Sequence, residues 1–531
     1  MTTLQEALSL AQDRLQSGCV EEAERLFSCI LDEVPDFHFV RHLMGVAAAR
    51  RGNYEKAVAL ITEAIDGDDR HPIWYGNLCN SLHALGRYDQ AIASAQRWRM
   101  LAPNIVAPYH KLAFLYAVTG RNDDLFLILE DCFSATEIYG LFWKTPYYLV
   151  LDVANQLRYR DCSFRLVETL VERAKNAAQN RDNRLISAWL GFLSGSVALL
   201  RGDSSRAAHE FSMIVEDLPF VRHFSLENSV EQRLASVSPE GAAAFDAGFV
   251  MGAFESEIEK RSCAPVAVVF AACDGSYLER FGRLLLASVA AFSSPGQIVH
   301  FHIVDPHSRH QDLLEAWRKQ FCRCRLEFSF EFSPSNLSKE DCRTFYSCAR
   351  FMRAAFLLEL YRVPLLIVDI DALFLDDPMM FVNALTKETP LAMCYNPETL
   401  SFLYDSMGAG LVVVRPEKET LLYFKTVRDY LMYWLQRGDM SWFLDQIALI
   451  SSFHECQRRG VSMSIQPIMR HNCDVMILNG GRYFQIINEK FSAGFDRPLE
   501  AFLDQVIENM AGGAHLETLR MMFSRRFRLL L

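Results

Sequence analysis

The first half of the chain reads as helix after helix, and its punctuation is regular. Gly18, Gly52, Gly86 and Gly120 lie 34 residues apart, and Ala23, Ala57 and Ala91 keep the same interval, with Leu125 in the fourth place. Seven positions before each of these glycines stands a small residue: Ala11, Gly45, Cys79 and Ala113. After Glu257 the texture changes. Short β-branched runs (VAVVFAA, IVHFHIV, RLEFSFEF, LLIVDIDALF, LAMCYN, GLVVVR) alternate with helical periods. Continuous apolar strands separated by helices predict a largely parallel sheet covered on both faces.

A fixed period of this length is the mark of a repeat array. Each unit is a helix-turn-helix with a small residue where its helices cross, a glycine at the turn and an alanine on the second helix. Pro35 and Pro103 close the first and third units. The pattern resembles the tetratricopeptide repeat. A further copy is predicted at Gly195, Gly202, Ala207, Phe211 and Pro219. Because Gly202 lies 82 residues after Gly120, which is not a multiple of 34, the stretch 136–187 is expected to hold irregular helices. The expected organisation is an all-α tetratricopeptide-like solenoid followed by an α/β domain. Its segments are repeats over 1–135, irregular and further repeat-like helices plus a linker over 136–258, and the α/β domain with a tail over 263–531. The resemblance implies a concave surface that holds a protein or peptide partner.

Composition narrows the function classes. With 54 Lys+Arg against 65 Asp+Glu, the net charge of −11 is a poor match for a general nucleic-acid binder, so no nucleic-acid partner is expected. The amphipathic, acid-bearing N-terminus lacks the basic and apolar regions of a signal peptide, and no run of about 18 apolar residues spans a membrane. The 14 cysteines show no paired CxxC spacing. Reduced, mostly buried thiols in a cytoplasmic protein are expected.

Chemistry concentrates at LLIVDIDALF. Asp369 and Asp371 follow one of the most apolar runs in the chain, and on a strand residues i and i+2 point to one face. Ligands of such sheets gather at the carboxyl ends of the strands. Two unpaired carboxylates there are costly, and an oxygen-seeking divalent cation, Mn²⁺ or Mg²⁺, offsets the cost while gripping a diphosphate.

VFAACDGSY at 269–277, FHIVD at 301–305, ARF at 349–351, LLIVDIDALF, MGAGLVVVRP at 407–416 and WFLDQIAL at 442–449 follow one another in a set order. That ordered set resembles the retaining GT-A glycosyltransferases, and within them the glycogenin and lipopolysaccharide galactosyltransferase family, over about residues 266–490. The resemblance implies a nucleotide-diphosphate sugar, most simply a UDP-sugar, as donor. Ala272, Asp274 and Tyr277 match the nucleotide loop, and Arg350 an arginine that reaches the donor. Asp369 and Asp371 match the metal ligands, and Asp445 and Gln446 the Asp-Gln pair beyond the sugar. Gly410 lies behind the sugar pocket, where the backbone approaches the ligand closely. Arg350 or Lys490 is expected to join the metal in stabilising the charge of the leaving diphosphate.

Three departures stand out. The family's Phe-Asn-Ala-Gly reads Met407-Gly408-Ala409-Gly410, so the asparagine that contacts the sugar is missing. The first loop carries one extra residue, Gly275 or Ser276. The late metal-binding histidine is replaced in position by Asn488, with His471 and His515 as alternatives.

The reading is transfer of a hexose to a protein or glycan acceptor held by the repeats, with retention favoured by the resemblance and Asp445 as the base if the reaction inverts. Two other classes remain open: a catalytically inactive adaptor, and a sugar nucleotidyltransferase, for which ACDGSYLERF supplies only one glycine and no nearby lysine. The final stretch, LRMMFSRRFRLLL, interleaves Arg520, Arg525, Arg526 and Arg528 with apolar residues. It reads either as a helix packed on the protein or as an interfacial segment at the inner face of a membrane.

Overall fold

A computed structural model describes residues 4–134, 145–160, 164–179, 184–201, 203–224, 237, 249–252, 264–321, 324–335, 337–395, 407–440, 443–468, 484–486, 496–511 and 513–527. The chain divides into two compact units, Met1–Leu218 and Pro219–Leu531.

Among the described residues the first unit holds twelve helices: α1 Leu4–Gln16, α2 Val20–Glu33, α3 His38–Arg50, α4 Tyr54–Gly67, α5 Pro72–Ala84, α6 Tyr88–Leu101, α7 Val106–Thr119, α8 Asn122–Ser134, α9 Thr145–Arg160, α10 Arg165–Gln179, α11 Arg184–Leu200 and α12 Ser204–Ile214. Each of the first eight packs on the next. The turn glycines Gly18, Gly52, Gly86 and Gly120 have φ of 84°, 78°, 72° and 77°, a conformation in which a Cβ is strained. Ala23, Ala57, Ala91 and Leu125 are fully buried. At the crossing of α3 and α4, a Cβ on Gly45 would lie 2.6 Å from Ile61 Cγ1, so the close approach of the two helices requires the missing side chain.

The loss of register after α8 leaves the packing continuous: α9 lies on α7 and α10 on both α8 and α9. The later repeat-like pair is α11 with α12, where Gly195 lies against the Phe211 ring and Ala207 is buried. Gly202 lies outside the described residues.

The second unit is built on an eight-stranded sheet of order β1-β4-β3-β2-β5-β8-β7-β9. Its strands are β1 Val250–Met251, β2 Ala267–Asp274, β3 Gln297–Val304, β4 Arg325–Glu331, β5 Leu365–Val368, β7 Leu391–Tyr395, β8 Met407–Val414 and β9 Ile465–Pro467, while β6 Ala372–Phe374 pairs separately with β10 Phe484–Ile486. β4, β3, β2 and β5 run parallel, but β8 is antiparallel to both β5 and β7, and β1 is antiparallel to β4. The sheet is therefore mixed rather than largely parallel. Apolar runs fix burial on both faces but leave strand direction to the connections, which sequence pattern does not display.

Chain order reverses at β2, with β3 and β4 on one side of it and β5 on the other. In open α/β sheets the crevice for ligands opens at such a switch point.

The last helix, Leu516–Phe527, belongs to this unit's core. Leu519 and Phe523 are fully buried, and the Phe523 ring sits 6.0 Å from Phe292 and 5.3 Å from Phe502. The apolar side that the sequence offered to a membrane thus faces protein at these positions. The side chains of Arg520 and Arg525, and the whole of Arg528, fall outside the described set. No described helix is long and apolar enough to cross a membrane.

Candidate functional site

β5 ends at Val368, and Asp369 and Asp371 lie in the turn between it and β6, not on one strand. The turn is closed by Ala372 N–H donating to Asp369 O at 3.1 Å, and Asp369 N–H reaches Gly410 O on β8 at 3.4 Å. The expected i, i+2 strand geometry is corrected here, because the chain bends at once so that β6 can leave the main sheet. The two carboxylates therefore have different surroundings. Asp369 is partly exposed and ion-paired with Arg350, whereas Asp371 is buried and acts electrostatically on the Cys273 thiol at the end of β2. Burial, then Asp274, then Asp371 push that thiol well above its ordinary range.

Arg350 sits inside the helix Lys339–Tyr361, which begins with a capping box between Ser338 and Asp341. Only 4% exposed, it joins Asp369 to Asp445, with Nη2 of the arginine 3.3 Å from Asp445 Oδ2. Burial works against the guanidinium's charge, but Asp369 and Asp445 more than offset it and raise its pKa.

Asp445 and Gln446 open the helix Leu444–Arg458, and the residue before it, Phe443, is held at φ 71°. A bulky residue in this region costs about 1–2 kcal/mol, strain of the kind found where a backbone must aim a functional group. Asp445 Oδ1 accepts from Gln446 N–H at 2.9 Å. Burial raises the Asp445 pKa, Arg350 pulls it down, and Asp369 pushes it up again; the net direction is upward. The side-chain oxygen of Gln446 is buried without a hydrogen-bond partner.

The nucleotide-loop residues cluster at the end of β2. Asp274 Oδ1 accepts from Tyr277 N–H and from Ser276 Oγ, both at 2.8 Å, while Ala272 is buried and Tyr277 is 38% exposed. Gly275 lies so close to the His310 ring that no Cβ fits. Immediately after it, Leu278–Gly282 forms a π-helical turn, which holds one more residue than an α-turn and is frequent at functional sites.

Asp305 and Tyr346 join this end of the sheet, though sequence reasoning gave neither a role. Asp305, at φ 53°, accepts from Ser333 N–H (2.9 Å), Ser333 Oγ (2.7 Å) and Tyr346 OH (3.0 Å). Burial first, then Asp305, raise the Tyr346 phenol, and Asp274 adds to the effect. Asp305 ends the FHIVD stretch, and Tyr346 lies one helical turn, i to i+4, before Arg350.

Gly410 is in β8, where pairing with β7 jumps: Met393 faces Val412, but Cys394 faces Gly408. Such an irregularity frees the backbone around Ala409 and Gly410 from one neighbour.

Lys490, Asn488 and His471 lie outside the described residues. His515 is described, exposed just before the last helix. Among the described residues no group of three or more His, Cys, Asp or Glu side chains is placed to hold a metal, so His515 does not complete a ligand set with Asp369 and Asp371. The cysteines described, Cys273 and Cys348 among them, are free thiols.

The tetratricopeptide repeat family matches residues 48–113. The first unit is thus an all-α solenoid that is tetratricopeptide-like, with the repeat itself matched over 48–113, and the second is an α/β unit on a mixed sheet. Among solved structures, the chain is similar to MamA (residue 41 to the end) from Desulfovibrio magneticus at 15% identity, covering 34% of this chain and 96% of that one with a TM-score of 0.28. It is similar to pilF of Pseudomonas aeruginosa at 17% identity, covering 41% and 92%, TM-score 0.28. A tetratricopeptide repeat protein from Parabacteroides merdae gives 14% identity, 40% and 92% coverage, and a TM-score of 0.26. A search of curated proteins found no match.

Proposed function

We propose that the second unit is a metal-dependent GT-A glycosyltransferase that moves a hexose from a nucleotide-diphosphate sugar to a protein or glycan acceptor recruited by the repeats. The observation that carries this reading is the bridge of Arg350 between Asp369 and Asp445 beside the switch point of the sheet. It gathers residues from three separate sequence motifs.

The residues fit a divalent cation of modest protein ligation. Asp369 and Asp445 share one guanidinium, so two carboxylates, one partly exposed and one buried, face a single positive charge before Asp371 is counted. Mg²⁺-type sites use one or two carboxylates, with substrate phosphates and water filling the remaining positions. Asp369 and Asp371 would hold the ion, which when bound neutralises charge on a diphosphate.

The chain's own residues then divide the work. Asp274 and Tyr277 offer a carboxylate and an exposed ring to a nucleoside. Arg350 presents a fixed positive charge where the departing diphosphate gains negative charge, and such preorganised charge acts without reorganisation. Asp445, its pKa raised by burial, stands beyond Arg350 with Gln446, whose buried side-chain oxygen has no hydrogen-bond partner within the protein. The bond between the anomeric carbon and the diphosphate oxygen breaks with its electron pair leaving on the diphosphate, the acceptor hydroxyl oxygen forms the new bond, and its proton passes to the departing diphosphate if the reaction retains or to Asp445 if it inverts.

Met407-Gly408-Ala409-Gly410, which lacks the family's asparagine, favours a second reading, an inactive unit serving as an adaptor. Incubating the full chain with Mn²⁺ and a panel of nucleotide sugars separates the possibilities. Release of nucleoside diphosphate, lost in Asp369→Asn and Asp371→Asn while the fold persists, is expected. Release of pyrophosphate from a sugar phosphate and a nucleotide would identify a nucleotidyltransferase, and donor binding without turnover an adaptor.

A further inference from the structure

Arg350 is one of three polar side chains on a stripe that the helix Lys339–Tyr361 turns inward. Tyr346, Arg350 and Arg353 follow the i, i+4, i+7 spacing of one helix face. Tyr346 holds Asp305, and Arg350 holds Asp369 and Asp445. Arg353, only 2% exposed, sends Nε and Nη2 to the same oxygen of Glu331 at 2.7 and 2.6 Å.

Glu331 is as deeply buried as its partner, and His302 Nε2 lies 3.1 Å from that same Oε2, near enough to act electrostatically but outside hydrogen-bond geometry. The chain of contacts continues from His302 Nδ1 to Ser329 Oγ (2.8 Å), from Ser329 Oγ to His300 Nε2 (2.8 Å), and from His300 Nδ1 to Tyr361 OH (2.7 Å). Tyr361 is the last residue of the same helix. Polar contacts therefore leave the helix at Arg353, cross β4 and β3, and return to it two turns later. Phe249 covers the crossing, stacked 5.4 Å from His302, with the Arg353 guanidinium 4.9 Å from its ring.

A buried ion pair of this kind adds little net stability, since apolar residues of similar volume do as well or better. What it adds is a unique register. An apolar helix face tolerates small slides and rotations on a sheet, whereas a guanidinium held through two nitrogens does not. Arg350 lies one turn from that anchor, with a long, otherwise adaptable side chain.

We propose that Arg353, clamped by Glu331, is a positioning residue that fixes the rotation and height of the helix so that Arg350 meets Asp369 and Asp445 together. The inference rests on the proposed transferase reading for its effect on turnover, and on geometry alone for its effect on Arg350. Misplacing a charge-stabilising group by about 1 Å costs about 10²-fold in rate. The loss falls on kcat with little change in KM for the donor, because Arg350 acts on charge that develops during the reaction.

Three variants test it in the full chain, the third being Arg353→Lys. Glu331→Gln keeps the shape and removes the charge. The pair Arg353→Met with Glu331→Gln replaces the clamp by groups that leave no buried charge, and so folds even where the single change does not. One readout is independent of activity: the guanidinium resonances of Arg350 in arginine-labelled protein, assigned with Arg350→Lys. They are expected to be sharp and slowly exchanging in the wild type and broadened or shifted in the folded variants.

The second readout is donor turnover, expected to fall about 10²-fold in kcat, with partial recovery in Arg353→Lys. Arg350 resonances unchanged in a folded variant overturn the positioning role, whatever the wild type turns over. Responsive resonances with no turnover of any nucleotide sugar by the wild type support the clamp and remove the transferase reading instead.

Discussion

At the scale of single residues, burial decides which ionisable groups are committed before any ligand arrives. His42 on α3 is a clear case in the repeats. Its ring stacks on Trp74 at 5.1 Å, its Nε2 accepts from Asn77 Nδ2 at 2.9 Å, and burial, aided by His71, lowers its pKa to about 4. An unfolded histidine titrates near 6.5, so between that value and 4 the unfolded chain binds a proton that the folded one refuses. The stability this neutral ring contributes is present above pH 6.5 and lost as pH falls toward 4, a change on the order of 3 kcal/mol. The unfolding transition of the repeats should therefore drop in temperature more steeply from pH 7 to 4.5 in the wild type than in His42→Leu. Parallel pH dependences in the two proteins would remove His42 as the cause. Glu331 runs in the opposite sense to Asp445. Burial raises its carboxyl, but His302 and Arg353 together win and lower it, which keeps the clamp charged at neutral pH.

Elements were legible in the sequence to the degree that their residues obey a period. The glycine and alanine spacing located α1 to α8 because each repeat meets the same steric demand, and Gly45 shows that demand at its sharpest. Gly45→Ala should destabilise the repeats by about 1–3 kcal/mol, read as a lowered denaturation midpoint, since its Cβ meets Ile61 Cγ1 and the backbone oxygen of Ala57 on α4. A midpoint equal to the wild type would mean that the crossing is looser than its geometry. The strands were legible from their apolar runs, but direction was not, because β8 carries the same residue types whether parallel or antiparallel to β5. The turn holding Asp369 and Asp371 was misread as strand for a related reason: Asp-x-Asp has the right alternation, and only the departure of β6 to pair with β10 forces the bend. Arg350 and Asp445 were singled out through a family resemblance. Arg353, Glu331 and His302 were not, since a polar residue on an apolar-looking strand declares its partner only in three dimensions.

At the scale of the whole molecule, the proposal joins a repeat solenoid to a transferase, and the two parts can be tested apart. The first helices of successive repeats offer polar and aromatic side chains such as Asn80, His83 and Lys111, with His83 against the Phe114 ring at 5.4 Å and Lys111 5.9 Å over that ring. Asn80→Ala with Lys111→Ala should lower transfer to the native acceptor while sparing hydrolysis of the donor by water, measured side by side. Equal transfer rates would leave the repeats without a part in acceptor capture. The central claim is more direct: Asp369, Arg350 and Asp445 form the reacting end of a hexosyltransferase. The measurement that tests it is release of nucleoside diphosphate from a panel of nucleotide sugars with Mn²⁺, by the wild type and by Asp369→Asn. The account predicts release from at least one sugar nucleotide, abolished by chelation and by the substitution with folding intact. Release that is as fast in Asp369→Asn, or no release from any nucleotide sugar in the presence of the native acceptor, would contradict it.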